Sequence, residues 1–209
     1  MYIENRNLRG VQIFVETSVV RRNSIGRIMV SANSCTPLYY LAKGVKMMKE
    51  YDCGFSKENK WFRYRAAAII VEDSCVLFAG NELEDYYYSI GGGVHMGETA
   101  EDAVKREVFE ETGVAYDIDR LAVIHENFFD ENKGTLAGLD CHEVCFYYLM
   151  KPRHTKKLNS NSYTQGHKEQ MHWLPIKDLD KYKTYPYFFK DYFSKPHDGI
   201  MHIITDDRK

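Results

Sequence analysis

Between Ile90 and Val114 the chain passes through three consecutive glycines, Gly91, Gly92 and Gly93, and then into a segment with every local sign of one short helix. Thr99 stands where an N-cap belongs, and Asp102 follows three residues on in an approximate capping box. Glu101 and Asp102 favour the positive end of the helix dipole. Gly113 is placed to end the helix in a left-handed turn. The three glycines read as a loop. A lone helix of this kind needs a surface on which to bury its apolar side, and the rest of the chain supplies strands. RAAAIIV (65–71) is a continuous apolar run, and CVLFAG (75–80) returns from it after the turn Glu72-Asp73-Ser74. YYYSI (86–90) is a short β-prone run. AYDIDRLAVIHENFF (115–129) and HEVCFYYLM (142–150) are strand-like and aromatic. A polar loop (151–166) leads to EQMHWL (169–174). Pro175 opens one short helix, Pro186 opens another through Tyr192, and IMHIIT (200–205) is a last β-like run. Strands, one central helix, more strands and then helices predict a mixed sheet packed between helices.

The predicted helix carries an unusual charge pattern. At 100° per residue, Glu107, Glu110 and Glu111 share one sector, because they stand at i, i+3 and i+4. Arg106 lies four before Glu110, and Lys105 four after Glu101, so those pairs read as surface support. Glu107 has Ala103 and Glu111 at four-residue spacing and Val104 and Glu110 at three, and Glu111 is no better served. Two carboxylates therefore face each other without a counter-charge at helical spacing, beside Val104 and Val108, which belong to a packed face. Each like-charge contact costs roughly 0.2–0.5 kcal/mol when exposed. A divalent cation resolves the repulsion. Hard oxygen ligands suit Mg²⁺ or Mn²⁺, with the remaining positions filled by water and substrate phosphate. The glycines before the helix let backbone approach the same place closely, so Gly92 and Gly93 are candidates to orient a pyrophosphate.

Composition narrows the setting. The 209 residues carry a formal net charge of −2, which gives no drive toward nucleic acid or an anionic membrane. No apolar run is long enough to span a bilayer. Cys35, Cys53, Cys75, Cys141 and Cys145 are odd in number and scattered, with no apolar signal segment ahead of them. Free thiols in a reducing, cytoplasmic compartment are the expectation. Cys141, His142 and Cys145 have no second ligand pair at zinc-like spacing and read as a strand that happens to carry two cysteines.

Residues 1–47 stand apart. They carry seven Lys or Arg against two acids, a net +5, which leaves −7 on residues 48–209. Little period is visible in them beyond VQIFVE (11–16). Three explanations compete: a small docking arm, a transit peptide, or a stretch that is not translated in the cell. Lys43-Gly44-Val45 is what a ribosome-binding sequence read in frame would encode, a few nucleotides ahead of Met47 and Met48. Native translation is accordingly expected to begin at Met47 or Met48. The domain expectation is an atypical extension over 1–47 and one catalytic domain over 48–209.

The spacing adds a resemblance. Gly92, five residues, Glu98, seven residues, then Arg106-Glu107-Val108-x-Glu110-Glu111-x-Gly113-Val114 resembles the Nudix box at every defining position (92–114). YYSIGGGVHMGE, HENFF, HEVCFYYLM and HWLPIKDL look like a bacterial Nudix subgroup of unassigned substrate, so the resemblance runs from about Phe62 to the C-terminus. Many members have proline two residues before the first box glycine, where this chain has Ile90. That departure bears on loop stiffness more than on ligand identity. The resemblance implies an α/β/α sandwich, of mixed α+β type, with the box as loop–helix–loop. It implies Glu107 and Glu111 as principal metal ligands, with Glu110 a frequent third. Glu98 would be a metal contact or a support to one, and Gly91 a carbonyl that ligates metal in some members. Arg106 would orient the catalytic glutamate. The implied reaction is Mg²⁺- or Mn²⁺-dependent hydrolysis of a small nucleoside diphosphate linked to another moiety. Glu107 is the first candidate for general base and Glu143 the second, against its plain reading as a strand glutamate. Many relatives dimerise, so a homodimer is among the implied states.

Substrate choice lies outside the box. Trp61, Phe62, Tyr86, Tyr88, Phe128 and Phe129 are candidates to stack a base, Trp61 and Phe128 foremost. His125, His142, His167 and His172 read as structural or exposed. Two rival functions remain: a non-catalytic module of the same fold that senses a nucleotide metabolite, and an RNA-end pyrophosphohydrolase. Intact box glutamates weigh against the first. The −7 of residues 48–209 weighs against the second, although KPRHTKK (151–157) is a local basic patch.

Overall fold

The computed structural model describes residues 51–208, apart from residues 83, 132, 133 and 165, together with the backbone of three earlier strands. Those strands, Tyr2–Leu8, Val11–Thr17 and Arg27–Val30, pair antiparallel in sequence order within a compact unit, Met1–Lys49. Only the middle strand is announced by its own alternation; the outer two come from ladder pairing. Met47 and Met48 lie outside the described residues.

The second unit, Glu50–Lys209, is built on β1 (Gly54–Lys57), β2 (Lys60–Ile69), β3 (Cys75–Gly80), β4 (Gly91–Gly93), α1 (Ala100–Thr112), β5 (Ile118–Asp130), β6 (Asp140–Met150), β7 (Gln170–Pro175), α2 (Phe189–Ser194) and β8 (Met201–Asp206). The main sheet is mixed, in the order β8-β5-β6-β2-β1, and β4 pairs with β2 as well. β6 runs parallel to β2 and antiparallel to β5, and β8 runs parallel to β5. A smaller sheet joins β7, β3 and the short strands Tyr87–Tyr88 and Thr184–Tyr185.

β2 shows why the unit has two cores. Successive strand residues point to opposite faces. Ala66 and Ala68 enter a core with Val104 and Val108 of α1, while Ala67 and Ile69 enter another with Phe189 and Tyr192 of α2. The helices therefore cover opposite faces of one strand, and the unit is an α+β fold layered α/β/α. Val104 and Val108 are fully buried, which contributes about 1.5–3 kcal/mol each.

Two sequence expectations change. The glycines are a strand, not a loop: Ala67↔Gly91, Ala66↔Gly92 and Arg65↔Gly93 are paired. The reason is close approach, since a Cβ at Gly91 would lie 2.4 Å from the Ala66 carbonyl oxygen, at φ +139°. The helix expected from Pro186 begins only at Phe189, and Pro175 closes β7 before the 3₁₀ turn Ile176–Lys181. No helix among the described residues is long and apolar enough to cross a membrane.

Candidate active site

α1 is set by its ends. The Asp102 N–H donates to Thr99 Oγ1 at 3.1 Å, as the capping residues predict. Gly113 ends the helix at φ +70°, its N–H donating to the Phe109 carbonyl. Ala100, Ala103, Val104, Val108 and Thr112 form the buried stripe. The flank of that stripe nearest β4 carries Glu107 and Glu111.

Both carboxylates meet the glycine strand. Glu111 Oε1 accepts the Gly91 N–H at 2.8 Å. Glu107 lies so close to Gly92 that a Cβ there would stand 2.5 Å from its Oε1. Burial raises both pKa values. For Glu107, Arg106 opposes that rise in part. For Glu111, burial and then the charge of Glu169 outweigh the Gly91 N–H and the more distant Arg65, so its carboxyl is pushed up to about 8. Of the two carboxylates, Glu111 is the one held short of positive charge.

Arg106 ties the preceding loop to the helix. Its Nε and Nη2 donate to the two oxygens of Glu98, each at 3.0 Å, and Nη2 also reaches the Gly93 carbonyl at 3.0 Å. Its Nη1 donates to Glu107 at 2.5 Å and to Glu110 at 3.2 Å. Helical spacing left Glu107 without a counter-charge; the structure corrects this. The loop contacts fold the guanidinium back along the helix, so a neighbour at i−1 reaches it. Glu98 also accepts the His95 N–H at 3.0 Å. Burial alone would raise its carboxyl, but Arg106 and that N–H hold it below the usual range. Glu98 is thus spent on Arg106, and Glu110 is 56% exposed at the edge.

Arg65 escaped the sequence reading. Its Nη2 donates to the carbonyls of Ser89 at 2.9 Å and Gly91 at 2.8 Å, while its Nε is buried without a partner. The Gly91 carbonyl, expected as a metal ligand, is therefore engaged by a guanidinium. One signal pointed to Arg65: a cation opening a run as apolar as AAAII is rarely there for packing. Glu169 was missed too. It is buried and accepts from Tyr88 at 2.5 Å, Thr164 at 2.6 Å and the Ser162 hydroxyl.

Glu143 is buried on β6 in an ion pair with Arg63, whose Nε donates to Oε2 at 2.8 Å. It belongs to the sheet face, across β2 from the helix carboxylates, and is not solvent-facing. The two foremost aromatics part company. Trp61 packs with Phe129, whereas Phe128 stacks on His142, and neighbouring strand residues face opposite ways.

Among the described residues no three His, Cys, Asp or Glu side chains converge closely enough to hold a cation. The donor set suits one nonetheless. Mg²⁺ takes one or two protein carboxylates and completes its shell with water and phosphate, and Glu107 and Glu111 are oxygen donors of which, among the described residues, only Glu107 is paired with a cation, Arg106. The glycine strand beside them presents backbone rather than side chain.

A sequence profile of the NUDIX domain matches residues 61–192. Among solved structures, a MutT Nudix hydrolase from Burkholderia pseudomallei is similar at 21% identity, covering 64% of this chain and 98% of that one, with a TM-score of 0.49. A MutT protein from Bacillus halodurans is similar at 18% identity over 69% of this chain and 90% of that one, TM-score 0.49. An ADP-ribose pyrophosphatase from Streptococcus suis is similar at 14% identity over 67% and 98%, TM-score 0.45. No curated protein matches the chain.

Proposed function

Because the chain belongs to the Nudix family and is a Nudix hydrolase, we propose that it hydrolyses the pyrophosphate bond of a small nucleoside diphosphate derivative with the help of Mg²⁺ or Mn²⁺. The observation that carries this reading is the pair Glu107 and Glu111, one helical turn apart, each partly buried against the glycine strand with its carboxyl pKa raised. Glu107 and Glu111 would hold the cation, with exposed Glu110 able to join them when substrate arrives. When bound, the cation supplies charge neutralisation at the diphosphate oxygens and lowers the pKa of bound water.

The chain's own residues do the rest. Gly92 and Gly93 present backbone to the diphosphate, and the narrow strand keeps it against α1. Arg106, anchored by Glu98 and the Gly93 carbonyl, fixes the rotamer of Glu107 and opposes the rise in its pKa that burial causes. Glu107 is the candidate to accept the proton of the attacking water, since burial has moved its basicity toward neutrality. Glu143 fits this role less well, because Arg63 already holds it. Arg65 fixes the Gly91 carbonyl and thereby the N–H that Glu111 receives.

A panel of nucleotide sugars, ADP-ribose, CDP-alcohols, dinucleoside polyphosphates and nucleoside triphosphates, scored for released phosphate species, tests the reading. Glu107→Gln should lower turnover at least a hundredfold with the melting temperature retained. Chelation should stop the reaction and Mg²⁺ or Mn²⁺ restore it. Hydrolysis at wild-type rate by the variant, or in the presence of chelator, would remove the proposed roles.

A further inference from the structure

The register of three strands sets nine side chains in rows on one face of the main sheet. Trp61, Cys141 and Phe129 are in register across β2, β6 and β5. Arg63, Glu143 and Asn127 form the next row, and Arg65, Cys145 and His125 the row after that. All nine share one face because each strand contributes every second residue. The innermost row abuts the active site through the hydrogen bond from Arg65 to the Gly91 carbonyl. The outermost row is aromatic. Four residue steps along β2 take the chain from Trp61 to Arg65, about 13 Å at the usual rise.

Trp61 is prepared as a platform. The Arg63 guanidinium stands over its ring at 5.2 Å, and Phe129 packs against it at 6.3 Å with the planes 66° apart. Arg63 is pinned in turn by Glu143, which gives this buried carboxylate a purpose on an otherwise half-open face. Trp61, Arg63 and Phe129 all keep part of their surface in solvent. Beside Trp61 and Phe129 the face is aromatic, and toward β4 it is cationic. The innermost row fits the same picture, since Arg65 Nε and His125 Nδ1 are both buried without a partner.

We infer that this face takes the nucleoside half of the substrate, with the base stacked on Trp61 and the phosphate end beside Arg65 and the glycine strand. The inference rests on the pyrophosphohydrolase reading above and narrows it. The ligand must be linear, with an anionic end and a flat aromatic end one short strand-length apart. A diphosphate ester of a bare sugar lacks the second feature. Glu143 is a positioning residue in this arrangement, acting through Arg63 and Trp61.

The chain has two tryptophans, Trp61 and Trp173. Trp173 packs against the core on the α1 side and donates its Nε1–H to the Lys156 carbonyl. In a Trp173→Phe protein the remaining fluorescence reports Trp61 alone. Nucleoside 5′-monophosphates should quench it saturably, and ribose 5-phosphate at equal concentration should not. In steady-state kinetics on the substrate found by the panel, Trp61→Leu should raise KM about tenfold or more, and Trp61→Tyr should recover most of the loss. Glu143→Gln should raise KM in the same direction while leaving the pH profile of kcat unmoved. Quenching by ribose 5-phosphate as strong as by nucleotides overturns the inference, as does an unchanged KM in Trp61→Leu. A wild-type protein that hydrolyses no diphosphate defeats the reaction reading instead, and base-dependent quenching would then still support the stacking site.

Discussion

Glu107 lies directly against Gly92: any β-carbon at position 92 would sit within 2.5–2.7 Å of the Glu107 carboxyl atoms. The glycine is required there by the Glu107 carboxyl and not by a turn. Gly92→Ala should therefore displace Glu107 while β4 remains paired. A shift of about 1 Å at a reacting group can cost a hundredfold. The expected result is a fall in kcat of at least tenfold with an unaltered melting curve, read by steady-state kinetics and thermal denaturation.

Glu111 yields a stability prediction with a definite sign. Its folded-state pKa, about 8, is above the ordinary 4.5, so the folded state holds a proton that the unfolded chain gives up. Without divalent cation, stability falls as pH rises from about 4.5 through about 8, and the penalty is complete above that. Metal-free Glu111→Gln should melt higher than metal-free wild type at pH 9, by at least about 1 kcal/mol. Added Mg²⁺ should raise the wild type more than the variant. Equal melting curves across the pH range would show that Glu111 titrates normally.

His125 acts at the acid side. It is buried, shares Nε2 with Thr205 Oγ1, and has no partner for Nδ1. Burial lowers its pKa below 6.5, against a weaker opposing pull from Glu143. The unfolded chain thus binds a proton that the folded state refuses. Stability is full above 6.5 and declines as pH falls from there toward the lowered folded value, by up to about 1.4 kcal/mol per pH unit for one proton. His125→Phe should flatten that limb in urea denaturation at pH 5–7.

Gly113 offers a control outside the chemistry. A Cβ there would stand 2.1 Å from the Asn159 carbonyl oxygen, on a backbone with φ +70°. Both the left-handed conformation and the contact penalise alanine. Gly113→Ala should lose roughly 1–3 kcal/mol, measured by chemical denaturation, and should affect activity only through the folded fraction.

What the sequence made legible was local. Thr99, Asp102 and Gly113 declare the helix because caps act within a few residues, and Glu107, Glu110 and Glu111 declare their sector because helix geometry is fixed. The glycine strand was not legible, since its partner is β2, more than twenty residues away, and three glycines alone look like a turn. The Arg106–Glu107 contact was hidden for a related reason: helical spacing omits a long side chain drawn back by Glu98 and the Gly93 carbonyl. The separation of Phe128 from Trp61 needed a register. Two adjacent phenylalanines always face opposite ways, but only the pairing of β5 with β6 says which one joins Trp61. Arg65 was visible as a charge opening an apolar run, whereas Glu169 stands beside Lys168 and Gln170 and carried no such signal; their partners Gly91, Tyr88, Ser162 and Thr164 are defined by the fold alone.

The hydrogen bond from Arg65 to the Gly91 carbonyl adds a side-chain link to the ladder by which β2 and β4 are already paired. On one side lie α1 and β4; on the other lie the outward rows of β2, β5 and β6. Trp61, Arg63, Asn127, Phe129 and Glu143 make none of the hydrogen bonds described for Glu107 or Glu111. On the proposed reading, substitutions on that sheet face would change the ligand taken and leave Glu107 and Glu111 in place. Arg65 is the exception, and a change there would be felt in both halves at once.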